Sequence, residues 1–588
     1  MTTKMLFRIP NREGILLNTL VFRPATSERL PTLLHRTPYN AAEQFAGGSL
    51  KWQDLVNSGF NLVVQDVRGR FGSDGVFVPY LHEANDGFDT IAWITNQPWS
   101  CPEVGMLGRS YAAMSQWAAA ASPQGTSSLK AIAPEVASSS CYHNWTYQGG
   151  AFRLEFCLRW VLEDLAVPTQ QFASEEALLL ASRLKDARND IANIFTYPWQ
   201  ILELLESAAP YYREWLQHAV YDDYWKLRSA REHIEQMRVP ALIVGGWFDP
   251  FILASLRDFT IMQHSPRSER ARNETTLIVG PWDHSIRDGI LASRSPVSSA
   301  ITARDYLTWA HKQWFRKHLQ GDTQHYELPQ VSLLVMGVNV WRYFDSWPPP
   351  NTYNQKWFLN ADAQDLGDLR ISPAMETTCG SYVHDPRAII SSAALQKHDC
   401  ATEHFDKLVS CLRFFTEPFE KPLTVIGYIR VTLFISSTNT DVDFCAKLFD
   451  IDPHSEERML CSNISRTRLY EERPTFDAPK VGTVCRKNIL VGATANVFLT
   501  GHRILLEISG SSFPEYDLNT GGNNFGFAPE RLEIAKSVNT ISYGGSLASY
   551  LEIPIINEIN SDKVPVTSSA HRISSGVPSV VTAGCIDI

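Results

Sequence analysis

The sequence lacks the features that would place the protein in a membrane, outside the cell or on nucleic acid. No apolar run reaches the roughly 20 residues that span a bilayer, and the first residues have no apolar signal-peptide core. Basic residues do not predominate, since 53 Lys and Arg face 63 Asp and Glu for a net charge of −10. An acidic surface repels phosphate backbones. We therefore predict no nucleic-acid partner, no membrane partner and a cytoplasmic location.

Paired cysteines are also lacking. The ten cysteines are scattered through the chain, without a C-x-x-C pair or any metal-ligand spacing. This pattern predicts buried thiols in a reducing compartment and gives no reason to expect a metal or another cofactor. The composition, 44% hydrophobic and 20% charged, is that of an ordinary globular protein.

Short apolar runs alternate with helical patterns over residues 1–140. Runs of this length, apolar on both sides, are typical of strands buried in a parallel sheet. Their alternation with helices predicts an α/β sheet with crossover helices. The strand-like runs occupy residues 30–36, 60–66, 104–108 and 130–136, and the helical patterns occupy residues 83–93 and 114–121.

The rest of the chain divides into four segments of different character. Residues 141–238 lack strand patterns and are rich in aromatics, which predicts a helical cap over a site. The α/β pattern resumes over residues 239–350. Residues 351–558 have the short alternating runs of antiparallel strands, which predicts a sandwich or jelly roll. The last residues, 559–588, lack periodicity and are expected to form a loosely held tail.

The most informative motif surrounds Ser110. A buried strand ends at Gly108, the serine follows two residues later, and a helix begins at once, as in a nucleophile elbow. Such a turn is sharp and needs small flanking residues, here Gly108 and Ala112. The backbone N–H of Tyr111 would then lie at a helix N-terminus, where it could stabilise an oxyanion.

A serine hydroxyl needs a base to take its proton and a third group to orient that base. Asp249 and His284 each follow a predicted strand, in the order Ser, acid, His that this fold class uses. We therefore predict a triad of Ser110, His284 and Asp249. Asp283 is a competing acid, but side chains of neighbouring residues generally diverge, so it is poorly placed to grip the His284 ring.

Taken together, the motifs resemble those of the CocE/NonD family of serine hydrolases, which includes cocaine esterases and X-Pro dipeptidyl-peptidases. The resemblance covers roughly residues 5–557 and implies an α/β-hydrolase core with an inserted helical cap and a C-terminal β jelly roll. The matching segments are Arg36–Tyr39, Gln65–Gly75, Gly108–Tyr111, Gly246–Asp249, Gly280–His284, Gly501–Arg503 and Ser512–Asn519.

The resemblance also implies site residues beyond the triad. It makes the phenol of Tyr39 the second oxyanion donor, and Tyr39 follows a predicted strand where other hydrolases place their oxyanion loop. It makes Phe251 a pocket residue. We expect a substrate pocket that includes Phe251 and four cap aromatics, Trp145, Phe152, Phe156 and Trp160. The glycine-rich stretch Gly69–Gly75 lacks the spacing of a phosphate loop and is interpreted as a tight turn.

These observations predict an enzyme that cleaves a small-molecule ester or amide through a covalent acyl-enzyme. One alternative is an acyltransferase or cyclising enzyme of small-molecule biosynthesis that uses the same triad, because a water-poor pocket lets an alcohol or amine compete with water. Another is a non-catalytic binding protein on the same scaffold. The acyl group, the acceptor and the oligomeric state stay open, and a homodimer is one option.

Overall fold

A computed structural model describes most of the chain. The described residues are 2–43, 50–125, 127–166, 175–189, 201–264, 267–286, 303–361, 366–389, 410–467, 480–521 and 534–556. The predicted tail, residues 559–588, lies outside them. Within these ranges, no helix is both long enough and apolar enough to cross a bilayer.

The strands form two large sheets and one short hairpin. They are β1 (Thr2–Pro10), β2 (Leu16–Pro24), β3 (Leu30–Thr37), β4 (Asn61–Asp66), β5 (Ser100–Arg109), β6 (Leu129–Glu135), β7 (Tyr147–Gln148), β8 (Ala151–Phe152), β9 (Leu242–Gly246), β10 (Thr276–Gly280), β11 (Val331–Val335), β12 (Val340–Phe344), β13 (Thr352–Ala361), β14 (Leu366–Arg370), β15 (Thr378–His384), β16 (Cys411–Phe415), β17 (Leu423–Ser437), β18 (Asp443–Ile451), β19 (Glu457–Arg466), β20 (Cys485–Phe498), β21 (Arg503–Ser509), β22 (Ser537–Tyr543) and β23 (Tyr550–Ile556).

The helices fall mainly in the first 320 residues. The α-helices are α1 (Trp52–Asn57), α2 (Glu83–Thr95), α3 (Tyr111–Ala120), α4 (Leu154–Arg159), α5 (Glu175–Asn189), α6 (Leu202–Ala208), α7 (Tyr211–Gln217), α8 (Asp223–Lys226), α9 (Ile252–His264), α10 (Glu269–Glu274) and α11 (Ala303–Phe315). Among the residues that the structure describes, two π-helical segments span Trp160–Ala166 and Arg316–Gln320, and two 3₁₀ turns span Ala230–Gln236 and Gly545–Leu547.

The first sheet has ten strands in the order β1-β2-β4-β3-β5-β6-β9-β10-β11-β12. Strands β4 to β11 of this order pair in parallel, whereas β1, β2 and β12 pair antiparallel at the two edges. Every residue of β4, β9 and β10 is buried, because helices cover both faces of the sheet. Helices α2, α3 and α9 pack on one face, and α1 and α11 on the other. The four runs predicted as strands in residues 1–140 lie in β3, β4, β5 and β6.

The segment between β6 and β9 is mainly helical, as expected for a cap. The hairpin of β7 and β8 is an exception to the predicted absence of strands. Its two-residue turn is Gly149-Gly150, with φ angles of 55° and 84° that suit a tight hairpin. A side chain at Gly149 would also collide with the backbone of the second sheet, since a Cβ there would lie 1.9 Å from the Ile464 carbonyl oxygen.

The second sheet contains the strands from β13 to β23, which pair antiparallel apart from β14 with β16. Along β17, the exposed Arg430 lies between the buried Ile429 and Val431, the alternation predicted from the sequence. Buried residues of both large sheets share one apolar cluster, in which Trp247 packs against Trp347 at a ring distance of 6.0 Å. The boundaries predicted between core, cap, jelly roll and tail, at residues 140, 238, 350 and 558, stay predictions.

Candidate active site

Ser110 lies in a strained turn between β5 and α3. Its φ and ψ angles are 57° and −126°, in a region that residues with a side chain rarely occupy. The Ser110 N–H donates to the Glu135 carbonyl oxygen of the neighbouring strand at 3.0 Å. This strand–turn–helix arrangement presents the hydroxyl at the carboxyl edge of the sheet, as the sequence predicts for a nucleophile elbow.

The turn is crowded at the two positions that the sequence marks as small. Gly108 has a φ angle of 133°, and a Cβ there would lie 2.5 Å from His35 Nδ1 and 2.9 Å from Ala112 Cβ. A side chain at Gly108 would therefore meet both strain and collision. Ala112 fits in place of the usual second glycine because its methyl group occupies the space that Gly108 leaves empty.

The structure brings the three predicted triad residues together. His284 Nε2 lies 3.2 Å from Ser110 Oγ, and His284 Nδ1 lies 2.9 Å from Asp249 Oδ1. Strands β9 and β10 are parallel neighbours in which Gly246 pairs with Gly280, so the loops after them project from the same edge. Asp283, the competing acid, instead accepts a hydrogen bond from the Ser285 N–H at 2.9 Å.

Burial and neighbouring charges shift the pKa of Asp249 in opposite directions. The side chain is fully buried, and this burial raises the pKa of Asp249, while its hydrogen bond to His284 and the charges of His284 and Arg153 lower it. His284 is less enclosed, with 32% of its side chain exposed. The arrangement leaves the imidazole open to a substrate on one side and held by a buried carboxyl group on the other.

Tyr39 lies two residues after β3, with its hydroxyl against the serine. Its Oη accepts a hydrogen bond from Trp160 Nε1 at 2.9 Å and also interacts with the Ser110 side chain. Burial raises the pKa of Tyr39 well above its usual value, so the phenol keeps its proton and can donate a hydrogen bond. The Asp66 carboxylate holds the loop after Tyr39, since its Oδ1 accepts from the Ala41 N–H at 2.6 Å.

Tyr111 begins helix α3 directly after the serine. Its N–H donates to no acceptor within the described ranges, which leaves it available at the positive end of the helix. Its phenol points elsewhere, since Oη donates to Glu83 Oε1 at 2.9 Å and accepts from the Tyr80 N–H at 3.0 Å. Only the backbone of Tyr111 therefore faces the reacting group.

Four of the five predicted pocket residues form one aromatic wall beside the triad. Phe251 stacks on Trp145 at 4.4 Å and meets the His284 ring edge-on at 5.1 Å. Trp145 and Phe156 in turn contact Trp160, at ring distances of 5.7 and 6.0 Å. The wall therefore places apolar rings next to His284, with Trp145 and Phe251 fully buried within it.

Phe152 does not join this wall. Among the described residues, its ring contacts Tyr147 at 5.4 Å and Tyr212 at 5.8 Å instead. Phe152 lies in strand β8, where its N–H donates to Asp517 Oδ1 at 2.7 Å. The structure therefore does not bring Phe152 into contact with the wall, and its role as a pocket residue stays a prediction.

Sequence reasoning missed two arginines that touch the site. Arg109 Nη1 donates to the Ser285 carbonyl oxygen, beside His284, at 2.5 Å. The buried Arg153 donates to the Pro250 carbonyl oxygen, beside Asp249, at 3.2 Å, and its guanidinium lies 5.2 Å from the Phe251 ring centre. Arg109 lies within the family-matching segment Gly108–Tyr111, but the sequence does not show what either arginine contacts, because each contact joins distant segments. Within the described part of the chain, no group of three His, Cys, Asp or Glu could hold a metal.

Known proteins resemble the chain over nearly its whole length. Residues 13–286 match the family model "X-Pro dipeptidyl-peptidase (S15 family)", and residues 325–552 match "X-Pro dipeptidyl-peptidase C-terminal non-catalytic domain". The chain is 34% identical over 571 residues to the cocaine esterase of Rhodococcus sp. (strain MB1 Bresler), which covers 93% of this chain and 97% of that protein. The chain belongs to the CocE/NonD family of serine hydrolases.

This CocE/NonD protein is an enzyme that cleaves an ester or amide bond. Its relatives support neither the acyltransferase nor the non-catalytic alternative. Solved structures confirm the predicted fold class, an α/β-hydrolase core with a helical cap and a C-terminal jelly roll. An aminopeptidase from a marine sediment Thaumarchaeota archaeon has a TM-score of 0.78 at 22% identity, covering 94% of this chain and 96% of that one. An α-amino acid ester hydrolase has a TM-score of 0.73 at 23% identity with the same coverage.

Proposed function

We propose that Ser110 is the nucleophile, His284 the general base and Asp249 the acid that orients the base. The observation that carries this proposal is the continuous hydrogen-bonded chain from Ser110 Oγ through the His284 ring to Asp249 Oδ1, with distances of 3.2 and 2.9 Å. In such a chain the carboxylate fixes the imidazole with Nε2 free to take the serine proton.

The reaction then proceeds in two halves. Ser110 Oγ passes its proton to His284 Nε2 as it attacks the acyl carbon, and His284 returns that proton to the leaving alcohol or amine. Water attacks the resulting acyl-enzyme while His284 takes one of its protons, and the acid leaves as Ser110 regains its hydrogen. In both halves, the Tyr39 phenol and the Tyr111 N–H donate to the negative oxygen of the tetrahedral intermediate.

Replacement of Tyr39 by Phe tests the oxyanion role. We expect Tyr39→Phe to lower kcat by about 100-fold to 1,000-fold with little change in KM, because the lost hydrogen bond forms mainly in the transition state. Steady-state hydrolysis of 4-nitrophenyl esters measures the effect.

Tyr80→Phe is the matched control. Tyr80 stacks on Trp160, the ring that binds the Tyr39 hydroxyl, at a ring distance of 6.1 Å. The buried Tyr80 hydroxyl has no hydrogen-bond partner within the described residues. This control should keep kcat within a few-fold of the wild-type value. Equal losses in the two variants would remove the oxyanion role from Tyr39.

We further propose that the substrate is a small ester with an aromatic acyl group. The wall of Trp145, Phe156, Trp160 and Phe251 contacts His284 through Phe251 and Tyr39 through Trp160, so it borders the place where the acyl part of a substrate would sit. A relative that is 34% identical is named cocaine esterase, which agrees with a small-molecule ester as substrate.

The acyl preference is measured with benzoyl and acetyl esters of the same alcohol. We expect Phe251→Leu to lower the benzoyl-to-acetyl ratio of kcat/KM by about fivefold, since aromatic pairing adds roughly 1 kcal/mol beyond apolar burial. Phe152→Leu changes an aromatic of the same cap that does not reach the wall, and should leave the ratio unchanged. A ratio that falls only in Phe152→Leu would place the acyl pocket elsewhere.

A further inference from the structure

Arg70 lies in the glycine-rich turn after β4, and its buried guanidinium binds three backbone carbonyls. Nε donates to the Pro38 oxygen at 2.9 Å, Nη1 to the Leu165 oxygen at 2.7 Å and Nη2 to the Asp164 oxygen at 2.8 Å. These bonds join two separate segments. Pro38 directly precedes Tyr39, whereas residues 164 and 165 end the π-helical segment that begins at Trp160.

The same two segments meet a second time at their side chains. Trp160 Nε1 donates to Tyr39 Oη at 2.9 Å. The tyrosine is thus held at both ends, since Arg70 binds the carbonyl oxygen of the preceding residue, Pro38, and Trp160 binds the hydroxyl. Tyr39 Oη accepts the indole N–H, and the same hydroxyl interacts with the Ser110 side chain.

The bond from Trp160 also changes the chemistry of the phenol. A hydroxyl that accepts one hydrogen bond becomes a stronger donor in the next, because the two bonds polarise each other. Burial is the largest effect on the pKa of Tyr39 and raises it, whereas the hydrogen bonds with Trp160 and with Ser110 lower it in part.

Burial of the charged Arg70 guanidinium costs free energy, which indicates that this residue has a specific role. Within the described residues, no carboxylate lies within 4 Å of its guanidinium, and burial lowers the pKa of Arg70 to about 10. Carbonyl oxygens at the end of a helix need donors, but an uncharged side chain could supply one of them without burying a charge. A planar guanidinium instead serves three carbonyls from two segments in one fixed geometry.

We propose that Arg70 and Trp160 are positioning residues that hold the Tyr39 phenol over Ser110, so that the cap segment 160–166 completes the oxyanion hole. The proposal rests on the proposed role of Tyr39 as oxyanion donor. It gives the cap a part in the chemistry of every substrate, in addition to the selection of the acyl group.

Double-mutant cycles with Tyr39→Phe test the proposal. We expect Trp160→Phe and Arg70→Met each to lower kcat for 4-nitrophenyl acetate by about tenfold, because a small misplacement of a donor weakens transition-state binding. The acetyl group is too small to make extensive contact with the aromatic wall, so a change at Trp160 should alter KM little. In the Tyr39→Phe background, the same two substitutions should lower kcat by less than twofold, since the group they position is already lost.

Trp145→Phe is the matched control. Trp145 belongs to the same wall, but its buried Nε1 has no hydrogen-bond partner within the described residues. Whatever its effect on kcat, that factor should be the same in both backgrounds. If Arg70→Met does not fold, Arg70→Lys and Trp160→Phe carry the test, with Arg70→Lys expected to recover part of kcat.

The outcomes distinguish the positioning proposal from the proposed oxyanion role of Tyr39, on which it rests. If Tyr39→Phe alone leaves kcat unchanged, the oxyanion role fails and the positioning proposal fails with it. If Tyr39→Phe lowers kcat but Trp160→Phe and Arg70→Met cost the same factor in both backgrounds, only the positioning proposal fails. Wild-type kcat in Trp160→Phe and in the folded Arg70 variants would also overturn it.

Discussion

Ser110→Ala is expected to lower kcat for activated esters by about a million-fold, the size of loss seen when a triad serine is removed. The variant keeps the substrate pocket and the oxyanion donors but has no oxygen to form the acyl-enzyme. His284→Ala should cost about as much, and the double variant little more, because the two side chains act as one unit. Hydrolysis of 4-nitrophenyl esters at high enzyme concentration measures the residual rate.

A second serine–histidine contact provides the control. Ser140 Oγ lies 3.1 Å from His143 Nδ1, but this hydroxyl also accepts hydrogen bonds from backbone N–H groups of its own turn. Ser140→Ala should therefore keep kcat within several-fold of wild type. A fluorophosphonate probe should label the wild-type enzyme on the peptide that contains Ser110 and should not label Ser110→Ala. Wild-type esterase activity in Ser110→Ala would contradict the assignment of Ser110 as the nucleophile.

Asp249→Asn is expected to lower kcat by about 10,000-fold near neutral pH. The amide can donate to His284 Nδ1, which favours the tautomer with a proton on Nε2, and that nitrogen then cannot take the proton of Ser110. The backbone should change little because the two side chains have the same shape. Steady-state kcat, with circular dichroism to check the fold, measures the effect.

Asp283→Asn is the matched control for this variant. Asp283 is adjacent to His284 in the sequence, yet its carboxylate binds the Ser285 N–H and not the imidazole. Its loss should cost no more than a few-fold in kcat. The opposite order, with Asp283→Asn the more damaging, would assign the orienting acid to Asp283.

The triad geometry could be anticipated because the signals for it are local. Gly108 and Ala112 mark a turn in which larger side chains collide, and that collision depends only on neighbouring residues and on the strand beside them. Asp249 and His284 each follow a buried strand, and parallel strands bring such loops to one edge of the sheet. The prediction of Tyr39 as an oxyanion donor depended more on the family resemblance, since a tyrosine after a strand is common.

The pocket was harder to anticipate because it depends on the direction of each side chain. Phe152 and Phe156 are four residues apart in the same aromatic-rich segment, and the sequence offers no reason to treat them differently. The structure places Phe152 in a strand of the cap hairpin and Phe156 on helix α4. The ring of Phe156 meets Phe251 at 5.1 Å, whereas Phe152 faces the cap interior.

By itself, the sequence was enough to predict the α/β and β-rich segments, the elbow serine and its two proposed partners, because turn sterics and apolar periodicity act over a few residues. Only the tertiary structure decided which cap rings contact Phe251 beside His284 and which side chains hold Tyr39. The contacts from Arg70 to Leu165 and from Trp160 to Tyr39 span 95 and 121 positions in the chain. Such contacts depend on how the cap packs on the sheet, and no local pattern encodes the angle at which it does so.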